Sequence, residues 1–391
     1  MRVLIAFDKF KDSLTAPAAC ELAAGALHRL HPDWTISICP LTDGGEGFSE
    51  ILTRACRGTT HHHRVTGPRG QSVEAAFGMV SLGNIPDKAR ARLSLPEGLS
   101  PTTSVALIEM AVASGLALLD QGDRDPWQTT TLGTGELIQH ATALGAGIII
   151  LGVGGSATND LGLGALQAMG LQLLTADNTP VSPPTPAAWD RVTHISGHLP
   201  HSIPPIFIAC DVANPLLGSN GAAAVYGPQK GLLPADLSRL ESASERLASL
   251  LCAHCQQPVS MMQRPGAGAA GGIAFGLMTA TGAQLLPGAE FVGAWLDLES
   301  QLTTADMIIT GEGRFDESSL SGKGPGALAQ KALTQGKPVH VFAGQIIAPA
   351  TLPTNLHLHV ISPDTMPLTE ALKNAPRLLT AAIDISFTPD A

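Results

Sequence analysis

Four stretches of this chain set glycine beside acid. They are LTDGGEGF (Leu41–Phe48), GVGGSATNDLGLG (Gly152–Gly164), ACDVANPLLGSNGA (Ala209–Ala222) and ITGEGRFDESSLSGKGP (Ile309–Pro325). Glycine lets a backbone turn sharply and approach a ligand closely. Carboxylates at such turns can hold Mg²⁺ or take a proton. Each stretch leaves a short run that reads as a strand, and in open α/β sheets ligands gather at the carboxyl ends of strands. The pattern therefore points to an α/β chain with one site for a phosphorylated, metal-bound ligand.

The rest of the chain keeps that rhythm. Val3–Phe7 reads as a buried strand, Ala16–Leu30 as a helix capped by Asp12 or Ser13, and Trp34–Pro40 as a second strand. GPRGQSVEAAFGMVSLG from Gly67 reads as a hairpin, followed by a strand at Val105–Glu109, a helix over Thr129–Leu144 and a strand at Gly147–Gly152. Thr179–Pro205 reads as a proline-rich connection, Pro205–Cys210 as a strand and Ala235–Ala253 as a helix. After Phe291 come the helix LDLESQL, the strand MIIT, the loop GEGRFDESS, the helix PGALAQKAL and the strands VHVFAG and HLHVIS. A chain of 391 residues exceeds one ordinary core. The expectation is two different α/β domains. One is a flavodoxin/Rossmann-like parallel-sheet domain built from both termini (1–66 with 291–391), and the second is inserted at 67–290.

Composition removes several classes of function. A net charge of −10 argues against a nucleic-acid surface. No run reaches the roughly 18 apolar residues of a membrane span, and MRVLIAFDKFKD is too short to be a signal peptide. Six scattered cysteines suggest reduced thiols and a cytoplasmic enzyme. His61–His63 reads as a solvated triplet, and Cys252-Ala253-His254-Cys255 lacks the second cysteine pair of a zinc site.

No P-loop is present, because Gly322-Lys323-Gly324 lacks the Ser or Thr that follows the lysine in that motif. GVGGSA fits a dinucleotide fingerprint, with Asp177 about 20 residues beyond it, so a nicotinamide-dependent dehydrogenase is one reading. Against it, Ser156, Thr158, Asn159 and Asp160 crowd hydroxyls, an amide and a carboxylate onto an expected helix start, where phosphate or carboxylate oxygens bind. In GEGRFDESSLSGKG, Glu312 and Asp316 can share a metal or orient a hydroxyl, while Arg314 and Lys323 can neutralise phosphate charge. Asp43 and Glu46 leave another strand end as metal or capping acids. Asp8, Lys9 and Lys11 follow the first strand, and Asp211 beside Asn214 is a candidate base.

FDKFKDSLTA, PLTDGGEGF, GVGGSATNDLGLGALQAMG, ACDVANPLLGSNGAAAVYGPQKG and ITGEGRFDESSLSGKGP together resemble the type I glycerate kinase family, in order, from the first strand to about residue 350. The resemblance implies ATP-dependent, Mg²⁺-assisted phosphorylation of D-glycerate to 2-phosphoglycerate. It also implies a flavodoxin-like domain split across the termini, a second inserted domain, and a ligand in the cleft between them. The family more often has Ser at Lys9, Gly at Asp12, an acidic or polar residue at Ala213 and Gly-Gln-Thr at Glu317–Ser319, so no role passes to Lys9, Asp12 or Ser319.

On that basis Asp8, Lys11, Ser13, Gly154, Gly155, Ser156, Thr158, Asn159, Asp160, Gly311 and Glu312 are expected to bind substrate or nucleotide. Asp43, Glu46 and Glu312 are the expected metal ligands. Asp316 or Asp211 would orient or deprotonate the attacking hydroxyl, and Lys11, Arg314 and Lys323 would balance anionic oxygens. A non-catalytic glycerate-binding protein is the remaining alternative.

Overall fold

The computed structural model describes residues 1–95, 98–316, 319, 324–347, 353–363 and 365–388. Contacts divide the chain into two compact units, Met1–Asp43 with Val292–Ala391, and Gly44–Phe291. The first boundary falls earlier than expected because Thr59–Thr66 is a strand of the second unit's sheet, paired along its length with Ser72–Ser81.

Strands are numbered along the chain. The first unit holds β1 (Arg2–Phe7), β2 (Thr35–Ile38), β11 (Met307–Phe315), β12 (Val339–Ile346) and β13 (Leu356–Val360), in the sheet order β13-β12-β11-β1-β2. Every neighbouring pair is parallel. Side chains alternate across a strand, so Val3, Ile5 and Phe7 face one core with the helix Ala16–Leu30 and the C-terminal helix Leu368–Phe387. Leu4 and Ala6 face the other, with Leu302 and the helix Gly324–Thr334. This is a parallel sheet covered on both faces.

Three sequence expectations change here. The cap of the helix Ala16–Leu30 is Thr15, whose Oγ1 accepts from the Ala18 N–H at 3.3 Å. Asp12 and Ser13 belong to the preceding turn: Asp12 has φ of 61° and the Ser13 hydroxyl donates to Phe10 O at 3.0 Å. GEGRF is strand rather than loop, since β11 continues beside β12 through Glu312↔Ala343 and Arg314↔Gln345. A Cβ at Gly311 would lie 1.8 Å from Phe342 O, so glycine there serves close strand packing.

The second unit holds β3 (Thr59–Thr66), β4 (Ser72–Ser81), β5 (Ser104–Glu109), β6 (Ala146–Gly152), β9 (Ile206–Ala209) and β10 (Gln284–Leu286), in the order β10-β9-β6-β5-β4-β3. The four strands β10, β9, β6 and β5 are mutually parallel, while β3 and β4 add an antiparallel hairpin. A two-stranded piece, β7 (Gln172–Leu174) with β8 (His194–Ser196), stands apart within the same unit. One core runs from Val65 to Ala283. All six cysteines are free. Burial pushes the Cys20 and Cys39 thiols up to about 12, which leaves them unreactive. Among the described residues no helix is long and apolar enough to cross a membrane.

Candidate active site

In the second unit the glycines of two acid-bearing stretches, 44–45 and 152–154, meet at strand ends beside the carbonyl of Ala209, which opens a third. Gly154 N–H donates to Gly44 O at 3.0 Å. A Cβ at Gly154 would stand 2.5 Å from Gly45 Cα, one at Gly152 would stand 2.6 Å from Gly44 O, and one at Gly44 would stand 2.7 Å from Ala209 O. Only glycine permits backbones this close. The carboxyl ends of β6 and β9 thus share one surface with the turn 44–47. Glu46 reaches over it, its Oε1 3.5 Å from the place of a Cβ on Gly155.

The tip of the loop, Gly154 and Gly155, is accessible, whereas Ser156 through Asp160 are buried. Asp160 is wholly buried, and its carboxylate accepts from Thr131 N (2.7 Å), Thr131 Oγ1 (2.9 Å), Gly162 N (3.1 Å) and Gly164 N (3.2 Å). Burial pushes its pKa up against the pull of those four donors. Asp160, expected among the binding residues, ties the loop to Thr131 and to the start of the helix Leu163–Ala168. Thr158 and Asn159 are also buried, but Thr158 Oγ1 and Asn159 Oδ1 have no hydrogen-bond partner among the described residues.

Sequence reasoning missed Lys230. It ends a 3-10 turn, Pro228–Lys230, and is buried. Its ammonium donates to Ser156 Oγ at 2.9 Å and to Thr158 O at 2.7 Å. Burial pulls its pKa down to about 7, with the Asp160 charge opposing. The one signal in the sequence was a lysine inside the small-residue run YGPQKG. Glu109 is a buried acid that sequence reasoning did not single out. It closes the apolar strand VALIE and lies buried opposite Gly152.

Asp211, the candidate base, is half-buried, and its Oδ2 accepts from the Ala289 N–H at 2.9 Å. That bond caps the first turn of the helix Gly288–Trp295. The dinucleotide reading fails on geometry. The helix after β6 starts only at Leu163, and Asp177 is fully exposed in a turn beyond β7, bonded to Thr175, rather than at the end of a neighbouring parallel strand.

In the first unit, Asp8 follows β1 and its N–H donates to Gly311 O at 3.0 Å. Glu312 and Arg314 share one face of β11. Glu312 Oε1 is buried without a hydrogen-bond partner among the described residues. Burial, with Asp8 and Asp316 nearby, pushes Glu312 up to about 6 while the Ser319 hydroxyl opposes this. Arg314 Nε pairs with Asp316 Oδ2 at 3.1 Å. Gly324, at the start of a helix, would place a Cβ 3.5 Å from Asp8 Oδ2. Lys11 is exposed, and a Cβ at Gly313 would stand 3.3 Å from its backbone nitrogen. Lys323 lies outside the described residues. Of the expected metal ligands, Asp43 and Glu312 belong to the first unit and Glu46 to the second. Among the described residues no group of three or more His, Cys, Asp or Glu side chains is arranged to hold a metal ion.

The family model of the glycerate kinase family matches residues 3–386. The chain belongs to the glycerate kinase family. It is therefore an enzyme, a phosphotransferase. The family resemblance extends to individual relatives. The chain is 38% identical over 351 residues to a glycerate 2-kinase of Escherichia coli (strain K12), covering 88% of this chain and 86% of that one. It is 37% identical over 383 residues to a glycerate kinase of Bacillus subtilis (strain 168), covering 96% and 94%. A crystal structure described as glycerate kinase 2 from Salmonella typhimurium LT2 superposes with a TM-score of 0.75 at 37% identity, covering 99% of this chain and 98% of that one.

Proposed function

We propose that this protein transfers the terminal phosphoryl group of ATP to a hydroxyl of D-glycerate, giving 2-phosphoglycerate, with magnesium bound to the nucleotide. Family membership supports the reaction class. The observation that carries the site is the buried Glu312 Oε1, unpartnered among the described residues, with Asp8 and Asp316 acting on it. Like charges gathered at strand ends are stabilised by a cation. A magnesium ion that travels with phosphates needs only one or two protein carboxylates, so Glu312 and Asp8 fit it without a dedicated cage. When bound, the ion supplies positive charge to the phosphate oxygens.

Phosphoryl transfer asks mainly for in-line placement and charge neutralisation. Asp316, oriented by Arg314, is assigned to hold the attacking glycerate hydroxyl and accept its proton. Arg314 and Lys11 balance phosphate charge. In the second unit, the N–H group at Gly155 and the Ser156 hydroxyl are assigned to an anionic oxygen of substrate. The test is Asp316→Asn, with turnover expected to fall at least about a hundredfold at unchanged thermal midpoint; near-normal turnover removes Asp316 from the reaction.

A further inference from the structure

The buried lysine beneath the glycine turn has an unusual set of partners. Its two described bonds go to Ser156 Oγ and Thr158 O, while the nearby carboxylate, Asp160, is occupied by Thr131, Gly162 and Gly164. An ammonium has hydrogen-bond donors and no acceptor. Ser156 Oγ is therefore the acceptor in that bond, and its own hydrogen is free to point elsewhere. The next polar side-chain atoms along the loop, Thr158 Oγ1 and Asn159 Oδ1, are buried and unpartnered among the described residues. Buried polar atoms without partners are uncommon and call for a partner such as a water, an ion or a bound group.

We propose that Lys230 is a positioning residue of the glycine turn: it holds Ser156 as an acceptor, so that the Ser156 hydroxyl hydrogen is presented to an anionic oxygen of bound substrate. The inference rests on the turn's assignment to an anion and adds the residue that sets its polarity. The shared ligand chemistry is an anionic oxygen, carried either by the glycerate carboxylate or by an ATP phosphate.

The arrangement reverses when Lys230 loses its proton. A neutral amine has a lone pair, so Ser156 donates to Nζ and its hydrogen is withdrawn from the ligand. Lys230 sits at about 7, so this reversal falls in the working range of pH. The titratable and charged groups around it are Asp160 from the loop, Tyr226 from the adjoining helix Ala222–Tyr226, and Arg124, whose backbone packs on Gly231. The Tyr226 hydroxyl donates to Asn214 Oδ1 at 2.8 Å, and burial raises its pKa, so it stays neutral through this range.

The experiment measures KM for glycerate and for ATP, with kcat, from pH 6 to 9 in the wild type, Ser156→Ala and Lys230→Met. In the wild type one of the two KM values rises about tenfold across this range, as one charge-assisted hydrogen bond is lost. The affected substrate distinguishes carboxylate from phosphate. Ser156→Ala shows the raised KM at every pH, with a flat profile. Lys230→Met, if folded, does the same, and kcat changes much less than KM. Ser156→Ala alone carries the test if the methionine variant does not fold. A raised KM in Ser156→Ala that keeps the wild-type pH dependence overturns the role of Lys230 and leaves the turn as an anion site. An unchanged KM for both substrates in Ser156→Ala overturns the anion site itself.

Discussion

Removing the Asp160 carboxylate should unfold the second unit's loop at a cost that its hydrogen bonds determine. In Asp160→Ala three backbone N–H groups, those of Thr131, Gly162 and Gly164, lose their acceptor, as does the Thr131 hydroxyl. A buried donor left without an acceptor costs about 1–3 kcal/mol. The four are not additive, because the loop relaxes and water enters the vacated space, so the expected loss is about 4 kcal/mol. That is a large share of the roughly 5–15 kcal/mol that holds a domain together. Asp160→Asn should lose about half as much: one amide oxygen can keep the three bonds made to Oδ2, while the NH₂ group turns a donor toward the Gly162 N–H. Urea unfolding at neutral pH, followed by circular dichroism, gives both values. A loss below about 1 kcal/mol in Asp160→Ala would refute the argument, since the four donors would then have other acceptors and the carboxylate would not be what shapes the loop.

Glu312→Gln should remove activity and add stability in metal-free buffer. The folded pKa of about 6 lies above the ordinary 4.5, so ionising Glu312 costs stability that appears as pH rises from 4.5 to 6. The glutamine variant therefore gains above pH 6 and not below 4.5. Discounted for its partial exposure, the gain is about 1 kcal/mol, and denaturant titrations at pH 8 and pH 4 check it. Asp12→Gly should raise stability by up to about 1 kcal/mol, because Asp12 holds φ at 61° in a region where glycine is unstrained; a lower thermal midpoint would contradict this.

Much of the first unit was legible because its strands are short apolar runs with helices between them. Val3–Phe7, Ala16–Leu30 and Val339–Ile346 follow from hydrophobic periodicity and a proline in a helix's first turn. GEGRF was misread because glycine normally ends a strand. Here the glycines admit the neighbouring backbone of β12, a tertiary demand that local sequence does not display. The C-terminal helix Leu368–Phe387 was obscured by Pro376 inside it. Its buried face, Ala375, Leu379 and Ile383 at four-residue spacing, is clear only once the helix is given.

The candidate site was legible as a set of loops and less so as a set of roles. Residues 44–45, 152–154 and 209 approach one another closely within the second unit. Asp160 was read as a binding residue and Asp211 as a candidate base because acids at strand exits commonly are. The backbone donors they accept from lie in distant parts of the chain, Thr131 and Ala289, and local sequence does not display them. Lys230 was invisible for the opposite reason: a lone lysine is ordinarily solvated, and only the fold buries it under Ser156.

The most direct test of the account is an ADP-release assay with D-glycerate and MgATP, followed by phosphorus NMR of the product. The account predicts ADP formed in step with glycerate consumed, a single new monoester signal assigned to 2-phosphoglycerate, and loss of both in Asp316→Asn. Glycerate binding without ADP release, or transfer to the other hydroxyl, would contradict it.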